Sequence, residues 1–214
     1  MTILEPTTMI TDYLLGGLAA VLGIRLWRAG RTHSEMTVRL WGGSFLTTSV
    51  AAFVGGTSHG FADSLGVTGQ MVLWKLTIWS IGLTAFLLVA ATAQATLAGS
   101  ARRLVLALGI LQLVVYVAWT IRRDDFVWVI VDYLPAVLLV LVLQLSSWRR
   151  RRPGADRLVA GLLTTLVAAA VQASGLSLHP SFNHNDLYHV IQMAATVMLY
   201  QGALQARDRT PSTP

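Results

Sequence analysis

Seven mostly apolar stretches run along the chain, separated by short polar connectors. They cover residues 12–27, 38–60, 68–97, 103–120, 126–148, 158–175 and 187–205. A helix that crosses the hydrocarbon layer needs about 20 predominantly apolar residues. The pattern therefore predicts an all-α fold, a bundle of seven transmembrane helices. The sixth stretch is the weakest, because Ala, Thr and Gly dilute it. The connectors leave no room for an inserted soluble domain, and no internal repeat is visible. Residues 1–214 form a single integral membrane domain on this reading. The polar tail, 206–214, is expected to fray.

Composition agrees with the pattern. The chain is 54% hydrophobic and 12% charged, with a mean hydropathy of +0.61. Average soluble domains carry roughly 25% charged residues. There is no cysteine, which removes disulfides, thiolate nucleophiles and Cys-ligated metals from consideration. The first dozen residues are acidic and lack a basic stretch, so no cleavable signal is expected and the first apolar segment is read as a retained span.

Charge then orients the bundle. One set of connectors holds Arg25, Arg28, Arg31 and Arg39, then Arg102 and Arg103, then residues 149–152 and Arg157, then Arg207 and Arg209. The other set holds Arg122 and Arg123, followed at once by Asp124 and Asp125. Basic loops stay in the cytoplasm. The N-terminus is expected outside and the C-terminus inside, in the plasma membrane. The net charge of +6 thus follows the membrane plane, which argues for the lipid bilayer as partner and against nucleic acid. The run WRRRRPG suits anionic headgroups, and Trp27, Trp41 and Trp148 suit an aromatic belt at the same interface.

With this topology, four of the five histidines gather at the outer end. The second helix closes on "GGTSHGFAD", with Ser58, His59 and Asp63. The seventh opens on "NHNDLYH", with His184, Asn185, Asp186 and His189, and His179 lies just before it. Lys75 and Asp132 sit in the third and fifth helices, each about 10 Å below the outer boundary at 1.5 Å per residue. Ionisable groups at such depth usually face the interior and pair, so Lys75–Asp132 is an expected buried pair, structural or lining a cavity. On the seventh helix, Asn185 and Asp186 share a face with His189. Asp186 with Asn183 or Asn185 can also simply cap the helix. Imidazole and carboxylate groups in this arrangement suit zinc, with a position left for water. His59 and His189 are the first ligands to consider and His184 the third.

A histidine closing the second helix and another opening the seventh resemble the CREST superfamily, which includes alkaline ceramidases and adiponectin/progestin-type receptors. The resemblance implies a zinc ion in a seven-helix bundle and hydrolysis of lipid amides by zinc-bound water. His59 in "GGTSHGF" matches the family's second-helix histidine, and His189 in "NDLYH" the second histidine of its HxxxH pair. The first histidine of that pair falls on Asn185, with His184 adjacent. The family serine falls on Gly55, with Ser58 nearby. The third helix carries Lys75 in place of an aspartate, so Asp63 or Asp132 would supply the catalytic carboxylate. The function expected first is a zinc-dependent membrane hydrolase acting on a lipid amide or ester from the outer leaflet. The alternative is a non-catalytic receptor or small-molecule binder with a metal-free polar pocket.

Overall fold

The computed structural model describes residues 3–209. Six helices follow one another: α1 (Pro6–Thr32), α2 (Met36–Thr96), α3 (Gly99–Thr120), α4 (Val127–Arg149), α5 (Ala155–Ser174) and α6 (His184–Gln205). Among the described residues no strand forms beyond an isolated bridge between His179 and Phe182.

The 61 residues of α2 would be about 90 Å long as a straight helix. They are not straight. The backbone leaves helical geometry at Phe61 (φ −122°, ψ 19°) and again at Gly66 (φ 63°, ψ 171°). Gly66 occupies a region that essentially only glycine enters. Beyond it the second arm returns along the first. The hydroxyls of Thr47 and Thr84 lie 2.7 Å apart, and a side chain at Gly55 would touch Thr77. The reversal falls between 60 and 68, where the hydropathy pattern breaks.

Proline and glycine set other boundaries. Pro6 lies in the first turn of α1, where its missing N–H costs nothing. Gly154, at φ 76°, precedes α5, and a Cβ there would collide with the Gly202 carbonyl of α6. This contact ties the start of α5 to the end of α6.

Leu26, Trp41, Val137, Val140, Leu158 and Leu162 anchor the main core. It lies towards the end of the bundle where the arginines gather. A smaller cluster of Ile78, Tyr116 and Val129 joins α2, α3 and α4 nearer the histidine end. Outward faces are apolar as well: Leu104, Leu108, Leu111 and Val114 of α3 are all exposed. Among the described residues, five helices are long and apolar enough to cross a membrane. Apolar inside and apolar outside is the surface of a multi-pass integral membrane protein.

The tail differs from expectation. Residues 206–209 do not fray but fold back across the arginine end. Asp208 Oδ1 and Oδ2 accept from the amides of Thr37 (2.7 Å) and Met36 (3.0 Å). Arg209 N–H donates to the Gln94 carbonyl at 3.1 Å. Asp208 thereby caps α2, whose own N-cap residue, Glu35, makes no side-chain cap. The rest of the expected polar tail, 210–214, lies outside the described residues.

Candidate functional site

The histidine end is built where α1, the first arm of α2 and α6 converge. Gly56 and Gly60 let α1 approach closely: a Cβ on Gly56 would stand 2.8 Å from that of Asp12, and one on Gly60 would overlap Met9. The Leu4 N–H donates to the Gly60 carbonyl at 3.1 Å. On α6, Asn183 and Asp186 form a reciprocal capping box. Asn183 Oδ1 accepts from the amides of Asn185 (2.8 Å) and Asp186 (3.3 Å), and Asp186 Oδ2 accepts from the Asn183 amide (2.7 Å). The box fixes the first turn of α6 and so aims His189 at α1.

His189 is buried and spends both ring nitrogens on α1. Its Nε2 lies 3.1 Å from Asp12 Oδ1, and its Nδ1 lies 3.0 Å from Thr11 Oγ1. With Nε2–H donating to the Asp12 carboxylate, Nδ1 accepts from the Thr11 hydroxyl. That hydroxyl has other acceptors within reach, the Thr8 carbonyl at 3.0 Å and Asp186 Oδ1 at 3.5 Å. The Tyr188 ring lies edge-on to the imidazole, with centroids 5.3 Å apart. One turn deeper on α6, Gln192 Oε1 is buried without a hydrogen-bond partner.

Residues 7–208 match the model of a family of unknown function, DUF6962. The chain belongs to that family. No curated protein and no solved structure matches it. What a DUF6962 site does must therefore be argued from its own groups.

Those groups are only partly the expected ones. His59 pairs with Glu5 instead of joining His189: its Nδ1 is 3.1 Å from Glu5 Oε2, and both side chains are partly exposed. His184 is half-buried in the first turn of α6. His179 stays within its own turn, accepting at Nδ1 from the Ser181 amide. Ser58 is buried beside His59. Asn185 accepts from the Gln172 amide group on α5 at 3.1 Å. Asp63 is exposed, next to the break in α2.

The expected Lys75–Asp132 pair does not form. Lys75 Nζ instead lies 2.7 Å from Asp124 Oδ1 and donates to the carbonyls of Thr120 (2.5 Å) and Arg123 (2.9 Å). It closes the C-terminal end of α3, where carbonyls lack helical partners. Asp132 is buried and receives the Gln112 side-chain amide at 3.1 Å. The expected equal depth is not found: Lys75 stands level with Thr120 of α3, and Asp132 with Gln112, about 12 Å further along that helix.

Among the described residues no group of three or more His, Cys, Asp or Glu side chains is arranged to hold a metal ion. With His189 engaged at both nitrogens and His59 turned to Glu5, the set His59, His184 and His189 does not fit a three-histidine zinc centre. The potential ligands stand as two separate histidine–carboxylate pairs.

The hydropathy pattern sets the first span at residues 12–27 and does not single out Thr11, Asp12 or Glu5. Asp12 in fact lies almost two turns inside α1. The usable signal was a lone carboxylate at the start of an apolar span, at about the depth of His189.

Proposed function

We propose that this DUF6962 protein is a seven-span membrane protein, with its N-terminus outside, and that its histidine end hydrolyses a lipid amide or ester. The folded-back α2 supports two crossings, and the arginine distribution supports the orientation. The observation that carries the chemistry is the buried chain Thr11–His189–Asp12: hydroxyl, imidazole and carboxylate at 3.0 and 3.1 Å. A hydroxyl, its base and a carboxylate that orients the base are the parts of an activated nucleophile. His189 Nδ1 takes the Thr11 proton as Thr11 Oγ1 attacks the acyl carbon. The imidazolium, steadied by Asp12, then protonates the leaving amine or alcohol. Water, deprotonated in turn by His189, releases the fatty acid and restores Thr11.

The test is turnover of a panel of lipid amides and esters by purified protein. Thr11→Val and Asp12→Asn should abolish it while the protein stays folded. Elemental analysis of the same preparations separates this route from the zinc chemistry that the resemblance implies. About one zinc per chain, lost in His59→Ala and His189→Ala, would replace the metal-free reading.

Burial favours a second reading. Thr11 is 7% exposed, so a substrate reaches it only if α1 and α6 part. A non-catalytic receptor or binder using the same polar groups fits that burial. Lipid binding without turnover would establish it.

A further inference from the structure

The opposite end of the bundle holds a cavity of about 360 Å³, within the usual size range of small-molecule sites, about 300–1,000 Å³. Its walls come from the ends of α2 and α4, the α4–α5 turn, the start of α5 and residues 206–209. Its charged lining residues are Arg152, Arg207, Arg209 and Asp208. Asp208 is already committed to the Met36 and Thr37 amides, and Arg207 faces Glu35 at 3.7 Å.

Arg152 and Arg209 are different. Each donates through Nη1 to a carbonyl at the end of α2, Arg152 to Ala95 and Arg209 to Thr96, both at 2.6 Å. Among the described residues, neither has a carboxylate within ion-pair distance. A guanidinium carries five N–H donors in a rigid fork, so each keeps donors to spare. Burial, then the like charges of Arg209 and Arg150, push the Arg152 guanidinium down from its ordinary range. Among the described residues, the backbone thus holds two guanidinium groups together without an ion-paired carboxylate, since Asp208 in the same wall is spent on the Met36 and Thr37 amides. Gln144 and Ser147 add polar groups to the wall. Trp148, exposed one residue on, suits the headgroup level of a bilayer.

We propose that this cavity binds a phosphate group through Arg152 and Arg209. Planar guanidinium forks match phosphate oxygens, and basic pockets between transmembrane helices take anionic headgroups. The phosphate comes from either a lipid phosphomonoester in the adjoining leaflet or free inorganic phosphate. The site is independent of the proposed hydrolysis at the other end.

The test uses full-length protein in a neutral detergent. Native mass spectrometry reads retention of phosphatidic acid, phosphatidylcholine or inorganic phosphate. Wild type is compared with Arg152→Gln, Arg209→Gln and the double variant, which remove the guanidinium charge. Arg151→Gln, altering a neighbouring exposed arginine, is the control, and size-exclusion profiles verify folding. Phosphatidic acid should bind wild type and Arg151→Gln alike, at least about tenfold more tightly than the double variant, with phosphatidylcholine weak throughout. Phosphate alone binding with the same dependence on Arg152 and Arg209 would support the site and name free phosphate as its source. Equal retention by wild type and the double variant, or an equal loss in Arg151→Gln, would overturn the proposal. If the double variant does not fold, the single variants carry the comparison.

Discussion

His189 Nε2 lies 3.1 Å from Asp12 Oδ1, joining the last helix to the first. A hydrogen-bonded pair with little water around it is held by its partner as much as by its packing. Removing Asp12 leaves the His189 Nε2–H buried without its acceptor, at a cost of about 1–3 kcal/mol. Asp12→Ala should therefore lower the thermal unfolding midpoint more than the double variant Asp12→Ala/His189→Ala does. Differential scanning fluorimetry in detergent measures both. Equal midpoints would mean that the pair is not coupled.

The approach of α1 to α2 at Gly56 makes that pair possible. An added methyl would stand 2.8 Å from the Asp12 Cβ and 3.0 Å from the Tyr13 ring. Gly56→Ala should push α1 away, with an overpacking cost of about 1–3 kcal/mol, and lengthen the Asp12–His189 contact. The His189 ring resonances should shift in the NMR spectrum of imidazole-labelled protein. An unchanged spectrum and midpoint would show that α1 absorbs the methyl elsewhere.

Lys75 should behave as a helix-end clamp and not as a partner of Asp132. Asp124 is largely exposed, and exposed ion pairs contribute about 0–1 kcal/mol. Asp124→Asn should be nearly silent. Lys75→Met leaves the Thr120 and Arg123 carbonyls without their donor and should cost about 1–3 kcal/mol. Asp132→Asn should not reproduce the Lys75→Met phenotype. Chemical unfolding of the three variants side by side decides this.

Acid should release residues 206–209 from the arginine end. Burial alone would raise the Asp208 carboxyl, but hydrogen bonds from Thr37, Met36 and Gln94 outweigh it and hold the group below its ordinary value of 3.8. A carboxyl lowered by folding adds stability that is full above its unfolded pKa and lost as pH falls through the folded one. Protection of the Thr37 amide against hydrogen exchange, corrected for intrinsic rates, should hold above pH 3.8 and decline below it. Asp208→Asn should abolish this acid-dependent decline.

Orientation has a direct assay because the chain has no cysteine. Ser181→Cys lies before α6 at the histidine end, and Ser34→Cys lies between α1 and α2 at the arginine end. A membrane-impermeant maleimide should label Ser181→Cys in intact cells and Ser34→Cys only after permeabilisation. The reverse would invert the bundle and move the Thr11–His189–Asp12 site to the cytoplasmic face.

Helix identity and the turn in α2 were legible because they depend on local rules. Apolar runs and the polar break between 60 and 68 act within a few residues of themselves. The co-location of His59 and His189 at one end followed from counting helix directions. Partner choice did not follow, because residue counts from assumed helix starts do not fix depth or facing. Lys75 meets the C-terminal end of α3 at Thr120 and Arg123, whereas Asp132 meets Gln112, about 12 Å further along that helix. Asp12 was missed because hydropathy places a span boundary at the first polar group, whereas α1 carries that group inside. The tail looked disordered by composition, yet Asp208 caps a helix from far along the chain, a relation that no local pattern encodes.

The cap that Asp208 places on α2 also has a consequence in time. Met36 and Thr37 leave the ribosome early, whereas Asp208 follows only after the six described helices have been made. Until then the first turn of α2 has no side chain covering its free amides. Biogenesis of this protein therefore has a built-in order: the helices enter the membrane one after another, and the arginine end locks only when residue 208 arrives. A chain stopped at residue 205 would hold the six described helices and still lack its latch.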